Sequence, residues 1–234
     1  MGANFFLGAY WGPRREPLHG AAVRVSRLAE SLAAAHDDFG TWCRKGRSRD
    51  SALSPVALAD TSAAAEALAA GQNRRDIGGD VLDELGYRLS VWNGRSPAVE
   101  LSLTCGAYVD RPTANNVLLK FPPMDDADPA YGTALQIDVM RSVIEAFEPD
   151  WATFTTHALR TAQGARPGEL TVGWLTYVGR PIADVSLAET TVVGGGTLLR
   201  LGPEPAQVTG EDVSALRREL LSSDGRVPGH DDLG

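Results

Sequence analysis

The residues best suited to metal binding or nucleophilic catalysis in this 234-residue chain are four histidines and two cysteines. His19, His36, His157 and His230 form neither an i,i+4 pair nor an HExxH or HxH spacing, so no zinc site is expected. Cys105 closes an alternating apolar run and reads as a buried structural thiol. Cys43 lies beside Arg44 and Lys45, a setting that favours a thiolate, yet a lone loop cysteine is expected to be incidental. A restriction-type nuclease needs carboxylates for Mg²⁺ and a lysine near them. Pro149-Asp150 looks like the start of such a motif, but Glu169-Leu170-Thr171 has threonine where the lysine belongs, and Lys45 and Lys120 are the chain's two lysines. A helix ending at Pro149 accounts for the first half of the pattern. Gly194-Gly195-Gly196 is followed by Thr197-Leu-Leu-Arg-Leu, a strand, where a P-loop needs Gly-Lys-Ser/Thr and a helix; a hairpin turn or bulge is expected. No Gly-x-Ser-x-Gly elbow occurs. No metal, cofactor or enzymatic activity is therefore expected.

Aromatic and charged residues concentrated at turns are what remain. Trp11-Gly12, Trp42 and Trp92-Asn93-Gly94 each place an indole at the end of an element, and tryptophan is enriched among interface hot spots. Trp11 and Trp92 are expected to seal the ends of the core. Trp42, in a basic loop, is a candidate partner contact. So is the acidic run Asp125, Asp126 and Asp128, which lacks the glycine and distal glutamate of an EF-hand loop; a plainly solvated loop is the alternative. Net charge is −8. Residues 1–117 are balanced, with 13 basic and 13 acidic side chains, whereas residues 118–234 carry 9 against 17. Nucleic acid is a poor partner for such a surface, because binding it requires positive charge to displace counterions. A basic protein is a good one.

These residues are carried by a recognisable set of elements. Residues 4–11 read as a buried strand stopped by Gly12-Pro13. Ala22, Val25, Leu28, Ala29, Leu32 and Ala33 mark an amphipathic helix over 19–35. An aromatic loop (39–42) and a basic turn (44–49) follow. A short alanine-rich helix over 62–70 is expected to be capped by Thr61 or Ser62 and ended by Gly71, with the polar run 72–76 beyond it. Strands are predicted over 85–92, 99–105 and 117–121, the first two joined at Asn93-Gly94 and the third preceded by Asn115-Asn116, giving an antiparallel meander. A second long helix spans 133–147. Strands over 170–178 and 191–201, a helix over 211–221 and a polar, disordered tail over 222–234 complete the chain. Grouped strands predict an α+β fold: one domain over 1–221, with a mostly antiparallel sheet and two long amphipathic helices packed on it. No apolar run approaches the roughly 18 residues needed to span a bilayer. No basic residue precedes Phe5-Phe6-Leu7, and the cysteines show no disulfide pattern, so a cytoplasmic protein is expected.

One ordered set of motifs resembles the immunity protein 52 family of bacterial polymorphic toxin systems. It runs from Phe6-Leu7-Gly8-Ala9-Tyr10-Trp11-Gly12 with Arg14, Arg15 and Glu16, through Trp42, Asn73-Arg74-Arg75-Asp76, Leu85-Gly86 and Trp92-Asn93-Gly94, to Cys105-Gly106 and Asn116. The likeness covers about residues 4–185. It implies a cytoplasmic antidote that binds a toxin encoded beside it, delivered by a secretion system such as type VI. That toxin is expected to be a basic, restriction-endonuclease-like nuclease whose active or DNA-binding surface is occluded. Trp11, Gly12, Trp92, Asn93, Gly94 and Asn116 are expected to hold the fold and not to meet the partner. A regulatory module with a non-toxin partner, or an enzyme using Cys43, His36 or His157, are the alternatives.

Overall fold

β1 (Phe5–Trp11) is the middle of the molecule. Phe5, Leu7, Ala9 and Trp11 face one side of it and enter the main core, while Phe6, Gly8 and Tyr10 face the other, the two-residue period of an extended chain. The computed structural model describes residues 4–45, 53–123, 131–182 and 185–222. Among these, ten strands form one sheet in which every pairing is antiparallel, in the order β3-β2-β4-β5-β6-β1-β7-β8-β10-β9. The strands are β2 (Trp42–Arg44), β3 (Pro55–Val56), β4 (Tyr87–Trp92), β5 (Glu100–Cys105), β6 (Asn115–Lys120), β7 (Trp151–Thr156), β8 (Leu175–Val178), β9 (Glu189–Val193) and β10 (Gly196–Arg200). The fold is α+β, as the grouping of strands predicts.

One face of the sheet is covered by α1 (Leu18–Ala35), α2 (Thr61–Ala70) and α3 (Thr133–Phe147), with α1 packed between the other two. Of the apolar stripe that identifies α1 in the sequence, Ala22, Val25, Leu28, Ala29 and Leu32 are buried, with Ala21 beside them, while Ala33 is exposed. Among the described residues the opposite face is covered over β7, β8 and β10 alone, by α4 (His157–Ala162) and α5 (Gly210–Ser222), through a second cluster that includes Trp151, Val178, Leu199, Val213 and Leu216. Over β4, β5 and β6 that face is open and carries Arg88, Ser90, Ser102, Thr104, Asn116 and Leu118, none of them buried.

Several elements differ from the sequence reading, each for a physical reason. β7 was not anticipated, because Trp-Ala-Thr-Phe-Thr-Thr is buried at all six positions and shows no alternation. β2 falls where the aromatic loop meets the basic turn, and β3 lies beyond them at Pro55–Val56; both strands are too short for any period to appear. The segment expected as a strand over 170–178 is extended and paired only from Leu175. Residues 191–201 do carry the hairpin turn expected at Gly194-Gly195-Gly196, with Gly194 and Gly195 between β9 and β10. α2 is capped by Asp60, whose carboxylate accepts the amide hydrogen of Ala63 at 2.8 Å, and neither Thr61 nor Ser62 serves as the N-cap. α5 begins with a reciprocal cap: the Asp212 amide donates to Thr209 Oγ1, and the Thr209 amide donates to the Asp212 carboxylate. Ser222 is its last residue, and His230 lies outside the described residues.

Candidate partner-binding site

Part of the motif set, far apart in sequence, meets at one end of the sheet: Trp11-Gly12, Arg14, Glu16, Leu85-Gly86 and Cys105-Gly106, whereas Trp42 and Trp92-Asn93-Gly94 lie at the opposite end of β4 and β5. After β1, the Gly12 amide donates to Asp150 Oδ2 at 2.9 Å, and the Gly12 carbonyl accepts from Asn115 Nδ2 at 2.7 Å. Asn115 is fully buried and also closes both sides of Ala107, accepting its amide hydrogen at 2.8 Å and donating to its carbonyl at 3.0 Å. Arg14 and Arg24 reach the end of α3: Arg14 donates to the Phe147 carbonyl at 2.6 Å and Arg24 to the Ala146 carbonyl at 2.8 Å. Cations there satisfy orphan carbonyls and oppose the negative end of the helix dipole. Glu16 fixes Arg24 from the other side at 2.6 Å.

Leu85-Gly86 turns against the same end. Gly86 has φ +64°, and a Cβ at that position would lie 2.3 Å from the Cys105 carbonyl oxygen, so the approach of this turn to β5 requires glycine. The Tyr108 amide donates to the Glu84 carbonyl at 3.0 Å, and the Arg15 guanidinium lies 5.1 Å over the Tyr108 ring. Together these segments enclose a cavity of about 430 Å³, walled by Arg15, Glu16, Gln72, Asp83, Tyr87 and Tyr108. Burial, with the Asp83 carboxylate adding to it, raises the Tyr87 phenol above its ordinary pKa. A smaller cavity, about 150 Å³, lies on the far sheet face between Tyr10, Trp151, Thr153, Arg160 and Arg166.

The family model of immunity protein 52 matches residues 3–223. The chain belongs to that family. No curated protein matches it. Among solved structures it is similar to a Pseudomonas aeruginosa protein described as a T6SS protein, at 14% identity over 95% of this chain and 76% of that one, with a TM-score of 0.47.

Of the immunity-family motif residues, Trp11 is core: it is buried, stacks on Phe147 at 5.3 Å and carries Arg14 over its ring at 5.1 Å. Asn93 is buried and organises the β4–β5 turn by accepting amide hydrogens from Arg95 and Val99. Gly94, at φ +70°, follows it. Trp92 is half-buried on the far face, opposite Cys43 on one side and Glu100 on the other. Asn116 points to the open face and is half-buried; the structural role falls to its neighbour Asn115. Trp42, the expected contact, is 3% exposed and packed in the core parallel to Phe39, so its ring is withdrawn from any partner. Cys43 is buried on β2 and not in an exposed loop. Cys105 is wholly buried, and burial pushes its thiol up to about 12. His36 Nδ1 accepts the Asp38 amide hydrogen, and His157 lies on Phe6. Asp125, Asp126 and Asp128 lie outside the described residues.

What the sequence reading missed is the path of Asn73-Arg74-Arg75-Asp76. It does not simply top α2 but forms one arm of a hairpin whose feet, Gln72 and Asp83, stand in the wall of the larger cavity. Gly78-Gly79 was the available signal. No helix among the described residues is long and apolar enough to cross a membrane, and among them no cluster of three or more His, Cys, Asp or Glu could hold a metal ion.

Proposed function

We propose that this protein is the cytoplasmic immunity partner of a toxin delivered by a type VI secretion system, and that it acts by binding and not by catalysis. The observation that carries the reading is family membership over residues 3–223. The gathering of one part of the motif set supports it. Gly12, Arg14, Arg15, Glu16, Leu85-Gly86 and Cys105-Gly106 build a rigid end of the sheet with polar and aromatic side chains around a cleft, a surface suited to hold a partner in one orientation. The toxin is a basic nuclease of restriction-endonuclease type, and the bound antidote covers its active or DNA-binding surface. The acidic excess of residues 118–234, Asp125, Asp126 and Asp128 included, complements such a partner and speeds encounter. Nucleic acid and membrane are not partners.

Co-purification tests this directly. The untagged protein is expected to elute stoichiometrically with the tagged C-terminal domain of the toxin encoded beside it, and the toxin's DNA cleavage is expected to stop. Two folded proteins that elute separately, with cleavage undiminished, would overturn the reading. A complex whose toxin has no nuclease activity would leave immunity standing and remove the nuclease.

A further inference from the structure

The hairpin of residues 73–82 is built differently from an ordinary surface loop. Every residue from Arg74 to Asp80 is exposed, so the arm stands clear of the body. It is nonetheless closed by its own hydrogen bonds. The Arg75 amide donates to the Asp80 carbonyl at 2.9 Å, the Leu82 amide to the Asn73 carbonyl at 2.9 Å, and Arg74 pairs with Val81 as an antiparallel bridge. Arg74 Nη1 ties the tip by donating to the Gly79 carbonyl at 3.1 Å. Gly78 and Gly79, at φ +90° and +70°, make the reversal, and a Cβ on Gly79 would meet nothing within 4 Å. At the apex stands Ile77, 91% exposed.

A single exposed apolar side chain is ordinary. An isoleucine held at the tip of a pre-closed hairpin is less so, because a loop whose task is only to reverse the chain gains nothing from it. Asp76 and Asp80 flank the tip, and residues 73–84 together hold two basic and four acidic side chains, Arg74 and Arg75 against Asp76, Asp80, Asp83 and Glu84. The feet of the hairpin stand in the wall of the cleft that the motif residues build.

We propose that this hairpin is the prong by which the protein anchors itself to its toxin, with Ile77 filling an apolar pocket on the toxin whose rim is basic. The proposal rests on the immunity reading above and adds the site and its chemistry. Because the hairpin is closed before binding, little ordering entropy remains to be lost when it docks. Burying Ile77 holds the complex together, while Asp76 and Asp80 steer it toward a positive rim.

The test uses the full chain and the C-terminal domain of the neighbouring toxin, with association and dissociation followed separately by surface plasmon resonance. Ile77→Ala is expected to weaken binding about 10- to 100-fold, mostly through faster dissociation. Ile77→Asp should lose more, and the pair Asp76→Asn and Asp80→Asn should slow association at low salt with the difference fading at high salt. Melting temperatures should be unchanged in all of them. Val192→Asp, at an 81% exposed position on β9, is the control and should bind as wild type does. If wild type binds and Ile77→Asp binds within twofold of it, the prong is refuted and immunity survives. If wild type does not bind, the immunity reading fails and the prong with it.

Discussion

Replacing Asn115 by alanine should be among the most damaging polar substitutions in the molecule, and replacing Asn116 among the mildest. Asn115 is fully buried and makes three hydrogen bonds, to the Gly12 carbonyl and to both the amide and the carbonyl of Ala107. Truncation leaves the Ala107 carbonyl with a partner, because the Arg14 amide also donates to it at 2.9 Å. The Ala107 amide and the Gly12 carbonyl are left without the bonds that Asn115 supplied. An orphaned buried polar group costs about 1–3 kcal/mol, so two of them, with the small void left by the side chain, give a loss of about 3–5 kcal/mol. For a chain of this size each kcal/mol moves the melting temperature by about 2–4 °C, and the expected drop is on the order of 10 °C. Asn116 lies on the open face, half-buried, and should change stability by less than about 1 kcal/mol. Urea unfolding followed by far-UV circular dichroism, with calorimetry beside it, measures both. Equal losses in the two variants, or a loss below about 1 kcal/mol for Asn115→Ala, would refute the argument that this side chain ties the three segments.

Trp11→Ala, which removes a buried ring stacked on Phe147, should destabilise by about 3–5 kcal/mol in the same unfolding assay, and Trp92→Ala, half-buried on the far face, by clearly less. The Cys105 thiol is fully buried and pushed up to about 12, so a disulfide reagent at pH 8 should label it only as fast as the protein opens; rapid labelling of the native protein would contradict that burial. Lys45 at 2.9 Å and Lys120 at 3.4 Å hold the Glu100 carboxyl below its ordinary value of 4.5. Its contribution is therefore complete above that value and is lost as pH falls through the lower folded one. Glu100→Gln should lower stability at pH 7 slightly, by less than about 1 kcal/mol since the pair is partly exposed and solvent-screened, with the difference from wild type vanishing as pH falls below about 4.5.

The elements legible in the sequence are those with one wet face. β5 alternates Leu101, Leu103 and Cys105 with Glu100, Ser102 and Thr104, and the structure buries the first three and leaves the others half-exposed. α1 and α3 are marked by the same logic at helical spacing. β7 is invisible to it because helices lie on both sides of that strand, and α4, six residues long, is too short for a helical period. The cleft is legible only in part: Arg15, Glu16 and Gly106 of its wall belong to the ordered set, Gln72, Asp83, Tyr87 and Tyr108 do not, and nothing in spacing alone says that Glu16, Tyr87 and Gly106 come within touching distance. Asn115 and Asn116 show the limit sharply. Adjacent and identical, they face opposite sides of one strand, and which is buried depends on register with β1 and β5.

The central place of β1 also governs the order in which the chain can fold. Leu7 lies between Leu119 and Phe154, so β1 waits for neighbours made much later than itself. Until Thr156 has emerged from the ribosome, the apolar run from Phe5 to Trp11 has at most one side of its ladder satisfied. Sheets closed by such distant pairings form slowly and expose sticky intermediates. A cell relying on this protein for protection would therefore do best to hold a standing stock of finished molecules, because fresh synthesis on attack would be limited by the wait for β6 and β7. Cleavage between β6 and β7 would likewise turn the sheet's two halves into fragments that must find each other.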